Sequence, residues 1–249
     1  MRLSAALVAC CLCAAVVAPA AQQPRSPAAS AAQRPPAAPA AQAELDRAAD
    51  ALLALKSTRF ALEREGTPAV LDEATGITFT AADCSYAAPD RASCNIKVAL
   101  KNGTILQLTR VWVPEGAFQS NPLTRQFAKL PAADGFNGAV LFARNGIPQI
   151  LRTGVQRAKV VGKASVQTRD TVHVTGDVSG KILNPLIEAL SPDVTYPVQF
   201  WIEEKTAHLV QLHVAEPQNN GWKIQLSGIN EPITIPTPQV PASRAVRSP

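Results

Sequence analysis

Beyond its first twenty residues the sequence has no long apolar run, because polar or charged residues interrupt every later hydrophobic stretch. A transmembrane helix needs about 20 consecutive apolar residues, so no later segment is predicted to span a membrane. The 24 lysines and arginines are scattered among 19 acidic residues. Scattered charge argues against nucleic acid as a partner, since nucleic-acid-binding proteins gather their basic residues into a stripe.

The sequence also lacks the patterns of common catalytic and metal sites. It has no Gly-x-Ser-x-Gly nucleophile elbow and no glycine-rich phosphate loop. Its three histidines, His173, His208 and His213, are not joined by a cluster of cysteines or carboxylates at ligand spacing. We therefore expect a protein that is not an enzyme and has no catalytic residue, metal or cofactor.

The first 20 residues are typical of a signal peptide. Arg2 precedes the small and apolar run from Leu3 to Ala18, and Ala18-Pro19-Ala20 resembles a cleavage site. A second interpretation stays open, because Leu7-Val8-Ala9-Cys10 resembles a lipobox in which Cys10 becomes lipidated. Both interpretations predict export, either by secretion or with a lipid anchor on the outer face of the plasma membrane.

Composition divides the rest of the chain into three parts. Residues 21–42 are almost wholly alanine, proline, glutamine and serine, which predicts a disordered tether. Residues 236–249 have a similar composition and predict a disordered tail. Residues 43–235 between them are long enough for one domain.

Hydrophobic periodicity predicts an α+β domain. Leu45, Ala49 and Leu52 recur at helical spacing, which predicts a helix over Ala43–Lys56. Most later segments alternate between apolar and polar residues, as in Val198-Gln199-Phe200, and predict eight or more strands with one apolar face. Such strands form an antiparallel sheet that is wet on one side and needs a covering layer on the other.

Short helical segments supply that cover. Asn137 is predicted to cap one, Pro148 to lie in the first turn of a second, and Asn184 to cap a third. Val111 and Val113 fall on the opposite parity from Leu106 and Leu108, which predicts a β-bulge near Arg110. The residues alone leave two possibilities open: the sheet closes around its own side chains, or a cavity remains for an apolar guest.

Two cysteines remain after the signal segment, and both lie in strand-like runs. Cys84 and Cys94 flank Pro89-Asp90, a turn-like step, so the two strands form a predicted hairpin. Cross-strand neighbours on a hairpin are close enough to bridge, and an exported protein meets an oxidising environment. The sequence predicts a Cys84–Cys94 disulfide, since a metal site needs more ligands than gather here.

Four segments resemble one known family, the LppX/LprAFG envelope lipoproteins. These are Ala54-Leu55-Lys56-Ser57, Ala88-Pro89-Asp90-Arg91, the stretch FNGAVLFARNGIPQIL from Phe136 to Leu151, and Pro197–Glu203 followed by His208-Leu209-Val210. The resemblance implies a half-barrel antiparallel sheet, similar to the LolA carriers, with helices on its concave apolar face. It further implies a cavity for an acylated lipid or lipoglycan, and partners that include the membrane surface and a membrane transporter.

Periodicity provides candidate residues for the cavity wall. They are apolar, and they come either from inward-facing strand positions or from the short helices. The predicted lining residues are Val98, Leu100, Leu106, Leu108, Leu141, Phe142, Ile147, Ile150, Leu151, Leu186 and Leu190. The sequence thus predicts an envelope lipid carrier or chaperone, with a tethered structural or protein-interaction module that has a filled core as the alternative.

Overall fold

The computed structural model of the protein describes residues 39–131 and 137–241. The predicted signal peptide, Cys10, most of the predicted tether and residues 242–249 lie outside the described residues. The described chain forms an open antiparallel sheet that carries a few helices. This confirms the predicted α+β class.

The helices are short, with one exception. The long helix α1 spans Pro39–Leu53, and a 3₁₀ helix spans Gly138–Phe142. Helix α2 (Ile147–Gln149) continues directly into a π-helical turn (Ile150–Gly154). Helix α3 spans Gly180–Leu183, and a last 3₁₀ turn spans Pro217–Asn219.

Twelve strands build the sheet, and each pairs antiparallel with its neighbours. They are β1 (Ser57–Glu65), β2 (Ala69–Asp72), β3 (Ile77–Ala87), β4 (Arg91–Ala99), β5 (Ile105–Val113), β6 (Gly116–Ser120), β7 (Phe127–Lys129), β8 (Gln156–Val166), β9 (Arg169–Ser179), β10 (Thr195–Glu203), β11 (Leu209–Glu216) and β12 (Asn220–Ser227). The order across the sheet is β7-β6-β5-β4-β3-β1-β12-β11-β10-β9-β8, with β2 paired to the start of β3.

Alternation along the strands gives the sheet an inner face, defined here as the face that the helices cover. Phe60 of β1 lies opposite Leu226 of β12 and Cys84 of β3, and all three belong to the main core. Leu45 and Leu52 of α1 belong to the same core. Burial of apolar side chains at about 25 cal/mol per Å² is what holds the helices on this face.

Helix α1 begins four residues before the predicted start at Ala43. Pro39 is its first residue, a position that tolerates proline because the N–H there has no intrahelical acceptor. Ala41 lies one turn before Leu45, and both are fully buried. Residues 39–42 therefore pack with the domain, although their composition matches that of the preceding residues.

Two of the three predicted short helices are confirmed. The Asn137 side chain accepts a hydrogen bond from the backbone N–H of Ala139 at 2.9 Å, and Pro148 lies in the first turn of α2. The prediction that Asn184 starts the third helix is wrong, because α3 ends there and Ser179 caps it. The Asn184 side chain instead donates to the carbonyl oxygens of Glu188 (3.0 Å) and Leu190 (2.8 Å).

The predicted bulge near Arg110 is also wrong. Strand β5 pairs with β4 in unbroken register from Ile105 to Trp112. Val111 and Val113 therefore lie on the outer face, where they form a second small core with Phe118 and Ile235. Their burial comes from a distant segment of the chain and not from a change of register.

That segment follows β12 and crosses the outer face. Arg91 donates to the carbonyl oxygen of Ile235 at 3.0 Å, and the Thr237 hydroxyl donates to Glu115 at 3.1 Å. The backbone N–H of Lys56 donates to the Asn230 side chain at 2.8 Å. Residues 230–237 thus tie the end of the domain to the back of the sheet.

The predicted disulfide is confirmed. Cys84 of β3 and Cys94 of β4 lie directly opposite each other, with their Cα atoms 4.0 Å apart, and are bonded. Both side chains are buried on the inner face. The bond ties together two neighbouring strands of the half of the sheet that contains the cavity described next.

Candidate ligand cavity

A cavity of about 380 Å³ lies between the inner face of the sheet and the turns that follow α3. Its size falls within the range of about 300–1,000 Å³ typical of ligand sites. Ten of its twelve lining residues are apolar or aromatic, the exceptions being Arg110 and Glu188. The lining residues are Leu62, Leu71, Phe79, Ile96, Val98, Leu108, Arg110, Leu186, Ile187, Glu188, Ala189 and Trp222.

Strand register explains why the cavity forms at this end of the sheet. Val98 of β4 lies between Phe79 of β3 and Leu106 of β5, so apolar inner positions continue across three strands. Helix α1 packs instead against α2, the π-helical turn, β8 and β11. The cover over β3–β5 at this end comes from the turns around Leu186 and Ile187.

Hydrogen bonds hold those covering turns in place. Besides the two bonds from Asn184, the backbone N–H of Ser191 donates to the Tyr196 hydroxyl at 2.8 Å. At Gly180 an added Cβ would meet the carbonyl oxygen of Ser191 at 1.9 Å, so only glycine fits this close approach. The apolar side chains of Leu186 and Ile187 are therefore held against the cavity.

The cavity opens towards solvent at strand β2. Val98, Phe79 and Trp222 are buried in its wall, whereas Leu71 at its edge is 55% exposed. Val70 and Ile105 are also exposed, at 53% and 67%, but they lie on the outer face, in the row of Thr78 and Ala99. The apolar wall of the cavity thus reaches solvent at Leu71.

Three polar groups lie in the otherwise apolar wall. Arg110 donates from Nε to the Gln119 side chain at 2.7 Å, and Glu188 lies in the covering turns. The third group is the indole N–H of Trp222, which is buried and has no hydrogen-bond partner among the described residues. The cavity therefore suits an apolar body that carries few polar atoms.

Next to Trp222 lies a partly buried ion pair. Arg64 forms a salt bridge with Glu216, and its side chain also donates to the Thr67 carbonyl oxygen at 2.8 Å. Its guanidinium carbon lies 5.0 Å from the centre of the Trp222 ring, within cation–π distance. The charge on Arg64 is thus neutralised within the protein.

The structure brings only some of the predicted lining residues to this cavity. Val98, Leu108 and Leu186 line it. Leu100 and Leu106 each lie two residues along the chain from a lining residue and are half-buried, but they do not line the cavity. Leu141, Phe142, Ile147, Ile150, Leu151 and Leu190 are buried in the main core instead.

The side chains of the 3₁₀ helix and α2 are absent from the wall because they fill the other end of the inner face. The Phe142 ring lies 5.2 Å from Phe60 and 4.5 Å from Tyr86, between centroids. Sequence reasoning missed Leu62, Phe79, Ile96 and Trp222 as lining residues. Their alternation marked them as inward-facing, but alternation does not separate a filled region from an open one.

A second hollow, of about 300 Å³, lies on the outer face beneath the C-terminal segment. Ser85, Ser93, Val111 and Phe127 line its floor, and residues 233–236 and Pro238 contribute the rest. It is a gap between the small outer core and the segment that covers it.

The histidines are all engaged in local contacts. His173 stacks on Trp201 at 4.6 Å between ring centroids, and His213 lies 3.1 Å from a Glu65 carboxylate oxygen. Partial burial lowers the pKa of His208, which lies 3.9 Å from Glu203. Within residues 39–131 and 137–241, no group of three or more His, Cys, Asp or Glu side chains is placed to hold a metal ion.

In the part of the chain that the structure describes, no helix is both long enough and apolar enough to cross a bilayer.

Two solved structures superpose on this chain over most of its length. LprF from Mycobacterium bovis superposes with a TM-score of 0.68 and 19% identity over 82% of this chain and 99% of its own. The lipoprotein LppX from Mycobacterium tuberculosis gives a TM-score of 0.59 and 20% identity over 80% of this chain and 99% of its own. At these identities the likeness shows the fold.

Sequence comparison adds a relative with a described role. The lipoarabinomannan carrier protein LprG of Mycobacterium bovis (strain BCG / Pasteur 1173P2) is 26% identical over 155 residues. The match covers 61% of this chain and 64% of that protein, so the chain matches less than two thirds of the relative's length. The sequence model of the LppX_LprAFG lipoprotein family matches residues 39–235, which is most of the chain. This protein therefore belongs to the LppX_LprAFG lipoprotein family.

Proposed function

We propose that this protein is an exported cell-envelope carrier, and not an enzyme, that holds an acylated lipid or lipoglycan in the cavity between its sheet and its covering turns. The cavity is the observation that carries the proposal. Its wall is almost wholly apolar, and it opens beside the exposed side chain of Leu71. Burying a methylene group contributes about 0.8 kcal/mol, so acyl chains are the ligand class that this wall stabilises best.

The family relationship supports the same conclusion independently. The relative LprG is a lipoarabinomannan carrier protein, and 26% of the 155 matched residues are identical in the two chains. The fold shared with LprF and LppX supports a conserved scaffold. The proposal for this chain is a lipid or lipoglycan with acyl chains that enter the cavity and a polar head that stays outside.

We further propose how the chain is arranged in the envelope. Residues 1–20 act as the export signal, residues 21–42 include a flexible tether, and residues 43–235 carry the lipid. Cys10, if lipidated, anchors the protein to the outer face of the plasma membrane, whereas cleavage near Ala20 releases it. In either arrangement the carrier meets a membrane surface and hands its cargo to a membrane or a transporter.

The experiment that tests the cavity is native mass spectrometry of the full chain, expressed in a host with envelope glycolipids. We expect discrete adducts that disappear on solvent extraction and that match acylated lipids in the extract. A single unadducted mass, even after incubation with envelope lipids, would favour the alternative of a tethered interaction module.

The exposed side chain at the mouth of the cavity makes a second prediction about lipid uptake. Leu71 lines the cavity from β2 and is 55% exposed. Exposed apolar side chains at a cavity entrance favour contact with acyl chains at a membrane surface. Replacing Leu71 with serine removes roughly 1 kcal/mol of apolar contact and is expected to slow uptake about fivefold.

Uptake is measured as transfer of a fluorescent acyl lipid from vesicles to the protein. The matched control is Val161→Ser, because Val161 is 55% exposed on β8, at the far edge of the sheet. The control should transfer lipid at the unaltered rate. Equal slowing in both variants, or in neither, would show that Leu71 does not contact the membrane during uptake.

A further inference from the structure

The ligand cavity is long in the direction that crosses the strands. Its wall includes Leu108 of β5, Ile96 of β4 and Phe79 of β3. It continues to Leu62 of β1 and Trp222 of β12. These five strands are consecutive neighbours in the sheet, in the order β5-β4-β3-β1-β12. Neighbouring strands lie about 4.8 Å apart, so the four intervals between them give the wall a length of roughly 19 Å.

Strand register aligns the floor of the cavity in that direction. Leu108 lies opposite Ile96, and Ile96 lies opposite Ala82. Ala82 in turn lies opposite Leu62. The four residues therefore form one apolar row across β5, β4, β3 and β1 on the inner face. A row of this kind is a surface along which an extended hydrocarbon chain can lie.

The volume of the cavity sets its width. A volume of about 380 Å³ spread over roughly 19 Å gives a mean cross-section of about 20 Å². A methylene group occupies roughly 30 Å³, close to the share of one water molecule in the liquid. A C–C bond of about 1.5 Å advances an extended chain by about 1.25 Å, so the cross-section of the chain itself is about 24 Å². The cavity is therefore about as wide as one acyl chain and too narrow for two chains side by side.

The same quantities give the number of carbons that the cavity can hold. At roughly 30 Å³ each, about 13 methylene groups fill a volume of 380 Å³. An extended chain of about 13 carbons is about 16 Å long, which is within the roughly 19 Å of the wall. A lipid with several acyl chains therefore has room here for one of them.

We propose that the cavity is a single-chain site, which takes one acyl chain over about 13 carbons and leaves the other chains of the same lipid outside. This inference rests on the proposed function and narrows the class of lipid that the site recognises. The site then measures the length of one chain, because each carbon within the wall adds affinity and carbons beyond it add little. A lipid with a single acyl chain is therefore a sufficient ligand.

The test uses the full chain and a series of lysophosphatidylcholines, from octanoyl to stearoyl, which carry one acyl chain on a constant head group. Affinity is measured by displacement of a fluorescent acyl probe, below the concentration at which each lipid aggregates. We expect the affinity to rise about fourfold with each added carbon. It should level off at about 13 carbons, where the chain fills the cavity. Native mass spectrometry should count one lipid per protein.

Two variants should move the levelling point in opposite directions. Leu108→Trp fills part of the cavity and is expected to lower the levelling point by about two or three carbons. Ile96→Ala shortens a half-buried side chain of the wall and is expected to raise it by about three carbons. Gln107→Trp, which adds the larger ring at an exposed position on the outer face, is the control and should leave the levelling point unchanged. Thermal unfolding of each variant checks that it is folded.

The outcomes separate the inference from the proposed function. Affinity that keeps rising to the stearoyl lipid, two bound lipids per protein, or a levelling point that neither Leu108→Trp nor Ile96→Ala moves would overturn the inference while leaving a lipid cavity in place. Failure of the unaltered protein to bind any lipid of the series would overturn the proposed function and the inference with it.

Discussion

Replacing Leu108 with tryptophan is expected to weaken lipid binding about 30-fold while leaving the fold intact. Leu108 lines the cavity from β5 and is half-buried, so a larger side chain there extends into open space and not into packed core. Excluding two or three methylene groups of an acyl chain costs about 2 kcal/mol, which corresponds to that factor. Because the added ring buries apolar surface, thermal stability should be unchanged or slightly higher.

The measurement is a titration of the delipidated protein with a fluorescent diacyl lipid, together with thermal unfolding. Gln107→Trp is the matched control, since Gln107 is the preceding residue of the same strand, exposed and on the outer face. It adds the same side chain outside the cavity and should bind lipid normally. Normal binding by Leu108→Trp would show that the lipid lies elsewhere.

Removing the disulfide is expected to lower the free energy of unfolding by about 3 kcal/mol, or roughly 150-fold in the unfolding equilibrium constant. Cys84 and Cys94 close a loop with a sequence separation of 10 residues, and the bond restricts that loop in the unfolded chain. Both residues are buried, so replacement by alanine also removes some packing around them. The change is measured by urea denaturation of Cys84→Ala/Cys94→Ala.

The chain offers a close control for that variant. Ser85 and Ser93 are the adjacent cross-strand pair on the same two strands, with their side chains on the opposite face. Ser85→Ala/Ser93→Ala should shift the free energy of unfolding by about 0.5 kcal/mol or less, because both half-buried side chains face the hollow and not packed core. A loss of less than 1 kcal/mol in the cysteine variant would mean that the bond contributes little to the stability of this half of the sheet.

The strands could be predicted from the sequence because one face of the sheet is buried along most of its width. Val198, Phe200 and Ile202 alternate with the half-buried Gln199 and Trp201, and all three are buried on the inner face. Strand β8 was not predicted. Its register with β9 shifts twice, between Gln156 and Lys159 and between Val160 and Gly162, and each shift breaks the alternation on which the prediction depends.

The parity of Val111 and Val113 misled the prediction for a different reason. Local alternation cannot foresee that a segment more than a hundred residues away covers the outer face at Ile235. The assignment of the cavity wall met a similar limit. Leu141 and Leu108 look equivalent in the sequence, but one packs in the filled core and the other faces open space, because the volume left over depends on all the surrounding layers.

The position of β1 in the middle of the sheet has a consequence for how the protein folds. Strands β3–β7 and β8–β12 each form a run of sequential neighbours, and β1 joins the two runs by pairing with β3 on one side and β12 on the other. Phe60 therefore meets its partner Leu226 only after nearly the whole domain has been synthesised. Pairings between residues so distant in sequence form slowly, since a long loop must close before they are gained. The two halves can therefore fold early and separately, and the seam between them closes last.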